Sequence, residues 1–199
     1  MTLEFRCGDP YAVARWLALP GAVREGHFEL LSGLHTDRFI AFSNIAREEE
    51  ALSTIAAWLA PSIGPLVPGA VLAPSTAGVG LGRALARTLG VPMHLASLGG
   101  DGRPEEVIGA PDLQGQRILL VNDVVTTGAG LKTLAELVRA VGGEVAAAAW
   151  FISRAQVDVG ALLDAPAFHV ADLDLPAWEA DRCGACAERV PPQLALDIN

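Results

Sequence analysis

Residues 118–121 read Ile-Leu-Leu-Val, end in Asn122 and Asp123, and continue through Val124 and Val125. A turn of Thr126, Thr127, Gly128, Ala129 and Gly130 follows, and then a helical pattern begins. A strand apolar on both faces belongs in a parallel sheet that helices cover on each side. Residues 131–141 supply such a helix, with Leu131, Leu134, Ala135, Val138 and Val141 on one face and Lys132, Glu136 and Arg139 on the other. The alternation extends along the chain, with strands expected at 71–73, 93–97, 118–121 and 145–152 and helices at 81–89 and 131–141. Alternating β and α elements predict an α/β fold: a central parallel sheet flanked by helices.

In open sheets of this kind ligands bind beyond the carboxyl ends of the strands. The 126–130 turn offers backbone N–H groups and hydroxyls to a phosphate, and the helix that follows adds the partial positive charge of its N-terminus. Asp123 would repel a phosphate. It is placed instead to accept hydrogen bonds from sugar hydroxyls or to help hold Mg²⁺. The segment therefore predicts a site for a phosphorylated sugar.

The N-terminal part is less regular. Asp9 and Pro10 predict a helix start, with Ala12, Val13, Trp16 and Leu17 inward and a stop at Pro20-Gly21. Two short strands are expected at 28–31 and 38–42, and a helix at 48–59 with Leu52, Ile55, Ala56 and Leu59 on one face. Pro61, Pro65 and Pro68 predict an irregular connection after it, and residues 98–116 a flexible loop. One domain is expected over residues 1–199, with a hood at about 20–45, a core at about 46–170 and a tail at 171–199.

The chain is 51% hydrophobic and 19% charged, enough apolar surface for a large core. Its formal charge of −9, with no basic patch, argues against a nucleic-acid partner. Residues 1–10 lack the apolar core of a secretory signal, and no apolar run is long enough to span a bilayer. With an odd count of 3 cysteines, this predicts a soluble cytoplasmic chain.

The Asn122–Gly130 stretch resembles the phosphoribosyl-pyrophosphate (PRPP) motif of type I phosphoribosyltransferases. In that family a hydrophobic strand leads to two acidic residues, two apolar residues and a Thr/Gly-rich loop. The resemblance implies that Asn122 and Asp123 contact the ribose and that Thr126, Thr127, Gly128, Ala129 and Gly130 bind the 5′-phosphate. It also implies that Ser75, Thr76, Ala77 and Gly78 border the pyrophosphate, with Mg²⁺ as the cofactor. Residues 26–40, GHFELLSGLHTDRFI, are similar to the hood of orotate phosphoribosyltransferases, which implies base contacts from Phe28, Ser32 and Gly33. The implied reaction transfers phosphoribose from PRPP to a nucleobase, foremost orotate, in a homodimer. Asp123 and Arg103 would be the catalytic residues.

Three positions and one longer stretch depart from the family pattern. Asn122 replaces the first acid, Gly130 a hydroxyl residue, and Leu31 a Lys before the Ser-Gly pair. The stretch that closes over PRPP is basic in the family; here it has Arg103 beside Asp101, Glu105 and Glu106. Two other functions stay open: a regulatory homologue that binds PRPP or a nucleotide without turnover, and a purine or salvage transferase. Gly78, Gly80 and Gly82 fall short of the GxGxxG spacing of a dinucleotide loop.

Cys183-Gly-Ala-Cys186 allows reduced structural thiols, half of a zinc site, or a disulfide. A full zinc site needs two further ligands, for which Cys7, His169 or a second subunit are the candidates. The histidines His27, His35, His94 and His169 show no metalloprotease spacing.

Overall fold

The computed structural model describes residues 3–76, 78–154, 157–195 and 197, so Ala77 lies outside the described residues. Strand β1 (Leu3–Phe5) leads to helix α1 (Pro10–Leu17), where Asp9 accepts a hydrogen bond from the Tyr11 N–H at 2.9 Å and Pro10 opens the first turn. The hairpin β2 (Val23–Glu29) and β3 (His35–Ile40) precedes the one-turn helix α2 (Phe42–Ile45) and the long helix α3 (Glu49–Ile63). Then come β4 (Ala70–Pro74), α4 (Gly78–Leu89), β5 (Met93–Leu98), β6 (Pro104–Val107), β7 (Arg117–Val121), β8 (Val124–Val125) and α5 (Ala129–Ala140). The chain finishes with β9 (Glu144–Ser153), α6 (Val159–Leu163), β10 (Ala167–Leu173), α7 (Gly184–Ala187) and β11 (Gln193–Leu194).

The main sheet runs β1-β10-β9-β7-β4-β5-β6, with β8 also paired to β9. Its five inner strands are parallel, and β1 and β6 close the edges antiparallel. Alternate residues of each inner strand serve opposite layers. Val71, Ala73, Leu119, Val121, Ala149 and Phe151 pack toward α1, α3 and α4. Leu72, Ile118, Leu120, Ala148 and Trp150 pack toward α5 and α6. After β4 the chain crosses through α4 to β5 on one side; after β7 it crosses through α5 to β9 on the other. The direction of winding thus reverses between β4 and β7, and a crevice opens at their carboxyl ends.

The α/β expectation holds, with differences in detail. Helix α3 continues through Pro61 to Ile63, so that proline lies inside the last turn rather than in the connection after the helix. Helix α4 starts at Gly78, so that glycine sits in the first turn rather than in a loop. The 98–116 stretch contains β6, paired antiparallel to β5. β10 and β1 extend the sheet past the last expected strand. The two polar residues of β10 hid it, yet they satisfy each other: His169 Nε2 lies 2.8 Å from Asp172 Oδ1, and the His169 ring stacks on Trp150 at 4.8 Å. The hood region forms a second small sheet, β11-β2-β3, whose own core is Phe28, Leu30, Phe39, Ala41 and Ala195. Its strands lie earlier than expected because Leu30–Leu34 forms the turn, with Gly33 at φ +82°.

Phe151 is fully buried between Trp16 (6.1 Å) and Phe42 (5.5 Å). Phe151→Ala is expected to lower unfolding stability by about 3–5 kcal/mol in urea titrations. Tyr11→Ala, at a side chain 87% exposed, is expected to change it by less than about 0.5 kcal/mol. Equal effects would overturn this assignment of the core.

Candidate active site

The 122–130 segment owes its shape to β9. Asp123 C=O accepts from the N–H groups of Phe151 (2.9 Å) and Ile152 (3.2 Å), and Val125 C=O accepts from Arg154 N–H at 2.7 Å. Val124 and Val125 are therefore a resumed strand, β8, and only Thr126–Gly128 is free turn. Gly128 caps α5 in the left-handed region at φ +76°. A side chain there would strain the backbone and meet Leu162 Cδ2 at 2.7 Å. The first N–H groups of α5 have no acceptor within the helix and face the turn.

A solvent-open cleft lies at these strand ends. Its floor is Pro74, Thr76, Asn122, Asp123 and the whole of 124–131. One wall is the β5–β6 turn with Leu98, Gly102, Arg103 and Pro104; the other is the small sheet with Leu30, Leu31, Ser32, Phe39 and Ile40. Arg154, Ala195 and Asp197 complete it.

Most of the expected site residues meet in this cleft: Ser32, Thr76, Arg103, Asn122, Asp123, Thr126, Thr127, Gly128, Ala129 and Gly130. Four do not line it. Ser75 is exposed, with its N–H bonded to Ala96 C=O. Gly78 packs behind Asn122, whose Cα would lie 3.4 Å from a Cβ at that position. Gly33 is the exposed turn residue. Phe28 was expected to stack on a base; it is 2% exposed and packs at 5.7 Å on Phe39, under the Arg24 guanidinium. The alternation of β2 turns Phe28 into the small sheet's own core, and Phe39 reaches the cleft instead.

Sequence reasoning missed Arg154. It follows β9 as Asn122 follows β7, and its side chain is buried at 4% exposure in the cleft wall. One terminal nitrogen donates to Thr36 Oγ1 at 2.8 Å, while Nε has no hydrogen-bond partner among the described residues. Burial lowers its pKa to about 10 despite nearby Asp37, and it remains cationic at neutral pH. A buried guanidinium with an unused donor calls for an anion. Arg103 adds charge at the opposite wall, tethered to Asp101 at 3.7 Å.

Asp123 is half-buried. Burial pushes its carboxyl up to about 6, and the neighbouring Asp197 adds to the rise; backbone N–H bonds at Val124 and Asp123 oppose it. At neutral pH it is ionised and ready to accept from hydroxyls. Cys183 and Cys186 lie away from the cleft, where they meet His27 and His35. Cys7 and His169 are not with them: Cys7 Sγ faces the His169 carbonyl at 3.7 Å by the β1–β10 pair.

A switch-point cleft with an acid at one strand end and a Thr/Gly turn opening a helix defines a class. The chain belongs to the phosphoribosyltransferase family, and with it to the transferases: the family model described as the phosphoribosyl transferase domain matches residues 42–173. Among its relatives is the orotate phosphoribosyltransferase of Phenylobacterium zucineum, 35% identical with 88% of this chain and 86% of that protein covered. That of Caldanaerobacter subterraneus is 30% identical over 85% of this chain and 87% of its own length. The crystal structure of orotate phosphoribosyltransferase from Aeropyrum pernix aligns with a TM-score of 0.65 at 28% identity, covering 81% of this chain and 93% of that one. An adenine phosphoribosyltransferase from Thermoanaerobacter pseudethanolicus shares the fold (TM-score 0.57, 22% identity, 66% and 86% covered).

The Asp123 carboxyl titrates near 6 when folded and near 3.9 when unfolded. Between those values the native state holds the extra proton, so the contribution of Asp123 to stability falls as pH rises from about 4 to about 6, and is flat above. Unfolding free energies of the wild type minus those of Asp123→Asn, from urea titrations across this range, are expected to decline over that window. A difference that rises with pH would show an acid held ionised by its surroundings, contrary to this assignment.

Proposed function

We propose that this chain transfers the ribose 5-phosphate group of PRPP to orotate and releases pyrophosphate. The observation that carries the choice of base is Arg154. A neutral purine offers no anion to the unused Nε of this buried guanidinium, which Asp37 offsets only in part, whereas orotate brings a carboxylate. Leu31 stands where the resemblance implied a Lys, so Arg154, which lines the same cleft and bonds to Thr36 of the small sheet, takes over that charge.

The remaining roles follow from position. The Thr126–Gly130 turn and the α5 N-terminus hold the 5′-phosphate. Asp123 and Asn122 accept from or donate to the ribose hydroxyls, and the Asp123 carboxylate faces the positive charge that develops at C1′ as pyrophosphate departs. Thr76, before the N-terminus of α4, lies on the pyrophosphate side. The apolar wall of Leu30, Leu31 and Phe39 shields the base from water.

Mg²⁺ fits this donor set as a companion of the substrate. The one group of three or more His, Cys, Asp or Glu side chains near enough to share an ion, among the described residues, lies outside the cleft. Magnesium is commonly held by substrate phosphates with one or two carboxylates, and here Asp123 and Asn122 are the chain's contribution. Bound there, the ion would neutralise charge on the leaving pyrophosphate. Arg103 shares its turn with Asp101 and is followed by Glu105 and Glu106 in β6, so further positive charge would come from a second copy of the chain in a cytoplasmic homodimer.

The test is pyrophosphate release from PRPP with orotate, adenine, guanine and hypoxanthine. Turnover with orotate alone is expected. Turnover with a purine would assign the chain to salvage, and PRPP binding without release would make it a regulatory binder. Arg154→Ala is expected to lower kcat/KM for orotate by about 2–4 kcal/mol, roughly 30- to 1000-fold, while PRPP affinity is nearly kept. Asp123→Asn is expected to weaken PRPP binding by about 1–2 kcal/mol in calorimetric titration; unchanged binding would remove Asp123 from the ribose.

A further inference from the structure

Outside the cleft, the structure gathers four side chains from distant parts of the sequence. His27 comes from β2, His35 from β3, and Cys183 and Cys186 from the start and first turn of α7. Their ligand atoms all lie within 4.8 Å of one another. Cys183 Sγ is 3.4 Å and Cys186 Sγ 3.7 Å from His27 Nε2, and Cys186 Sγ is 3.3 Å from His35 Nδ1. The two ring nitrogens approach to 2.7 Å. His27, His35 and Cys183 are each less than 10% exposed (7%, 5% and 4%). All cysteines are free thiols.

We infer that His27, His35, Cys183 and Cys186 form a Cys₂His₂ site for a structural zinc ion that clamps the small sheet to the C-terminal segment. A tetrahedral ion with Zn–S near 2.3 Å and Zn–N near 2.05 Å sets sulfur–nitrogen edges of about 3.5 Å. The three sulfur–nitrogen separations cluster around that value. The nitrogen–nitrogen edge of such a tetrahedron is about 3.3 Å, so the imidazoles part by roughly half an ångström around the ion. The donors also select the metal. Thiolates with imidazoles suit zinc, and the absence of carboxylate oxygens from the set disfavours magnesium and calcium.

Two features prepare the ligands. His27 Nδ1 lies 2.7 Å from the Val190 carbonyl. A carbonyl only accepts, so Nδ1 carries the proton and Nε2 turns its lone pair toward the cysteines, the arrangement found behind metal-bound histidines. Cys183 caps α7 and Cys186 lies three residues on, so the helix sets both sulfurs on one side. Two thiolates and a dication sum to zero charge, which suits a buried place. The clamp has a structural consequence. The segment after Cys186 returns as β11 beside Phe28 and Glu29 and ends with Ala195 and Asp197 in the cleft wall. The ion would thus brace one wall of the cleft without touching its chemistry.

The experiment reads metal directly and is independent of orotate turnover. Full-length protein purified under reducing conditions without chelator is expected to hold about one zinc per chain by elemental analysis. Cys183→Ser/Cys186→Ser should retain less than about a tenth of that. Cys7→Ser and His94→Ala, outside the cluster, should keep it. Because the double variant can fail to fold, the wild-type protein gives a second reading. Cobalt added to the folded, metal-stripped chain should produce the visible bands of tetrahedral Co²⁺ with thiolate charge transfer in the near ultraviolet. A folded, reduced chain with no zinc and no such spectrum would overturn the proposal and leave a thiol–imidazole hydrogen-bond cluster. A Cys183–Cys186 disulfide in the freshly isolated protein would overturn it as well.

Discussion

Parallel pairing is the constraint on which this structure depends. Strands β4 and β7 lie side by side in the same direction, so the chain cannot turn back directly and must cross over through a helix. One crossover goes left and the other right. The carboxyl ends of both strands and the N-termini of α4 and α5 therefore collect at one edge of the sheet. That edge is the place where backbone N–H groups without acceptors, a helix dipole and a strand-end carboxylate can lie together without breaking the core.

The arrangement answers an electrostatic problem. Under the proposed function, a chain with a formal charge of −9 has to receive a ligand that is itself strongly anionic. The cleft offers local charge rather than net charge: helix ends, turn amides, Arg154 in the wall and Arg103 at the rim. The cost of burying these groups is visible in them. Asp123 is pushed up to about 6 and Arg154 down to about 10, both chiefly by burial. Each remains charged at neutral pH and each is left with capacity for a further partner, as expected of groups kept for a ligand.

Under the proposed function the two sheets divide the work. The main sheet would supply the phosphate and ribose side from segments close in sequence. The small sheet and the C-terminal segment would supply the base side, and they are held by contacts over long separations, such as Arg154 with Thr36 and His27 with Val190. His35 and Trp178 exchange backbone hydrogen bonds at 2.7 and 2.8 Å, which adds a further tie. The Cys–His cluster sits where these distant pieces converge, which is why a brace at that point bears on the shape of the cleft.

What the amino-acid sequence determined by itself was the local part. Residues 118–131 already contain their strand, acid, turn and helix in order, since each depends on neighbours within a few positions. Hence the fold class and the gathering of Asn122, Asp123 and Thr126–Gly130 at one cleft were legible. Tertiary structure alone decided the rest. Which face of β2 carries Phe28 depends on register with β3, and it turned the ring inward. Arg154 obeys the same strand-end logic as Asp123, but only the packing of Thr36 beside it gave that arginine a wall to be buried in. The cysteine pair allowed half of a metal site among other readings, yet His27 and His35 lie more than a hundred residues away and carry no spacing that links them to it. Contacts between distant segments are set by how the sheets stack, and stacking leaves no local mark in the order of residues.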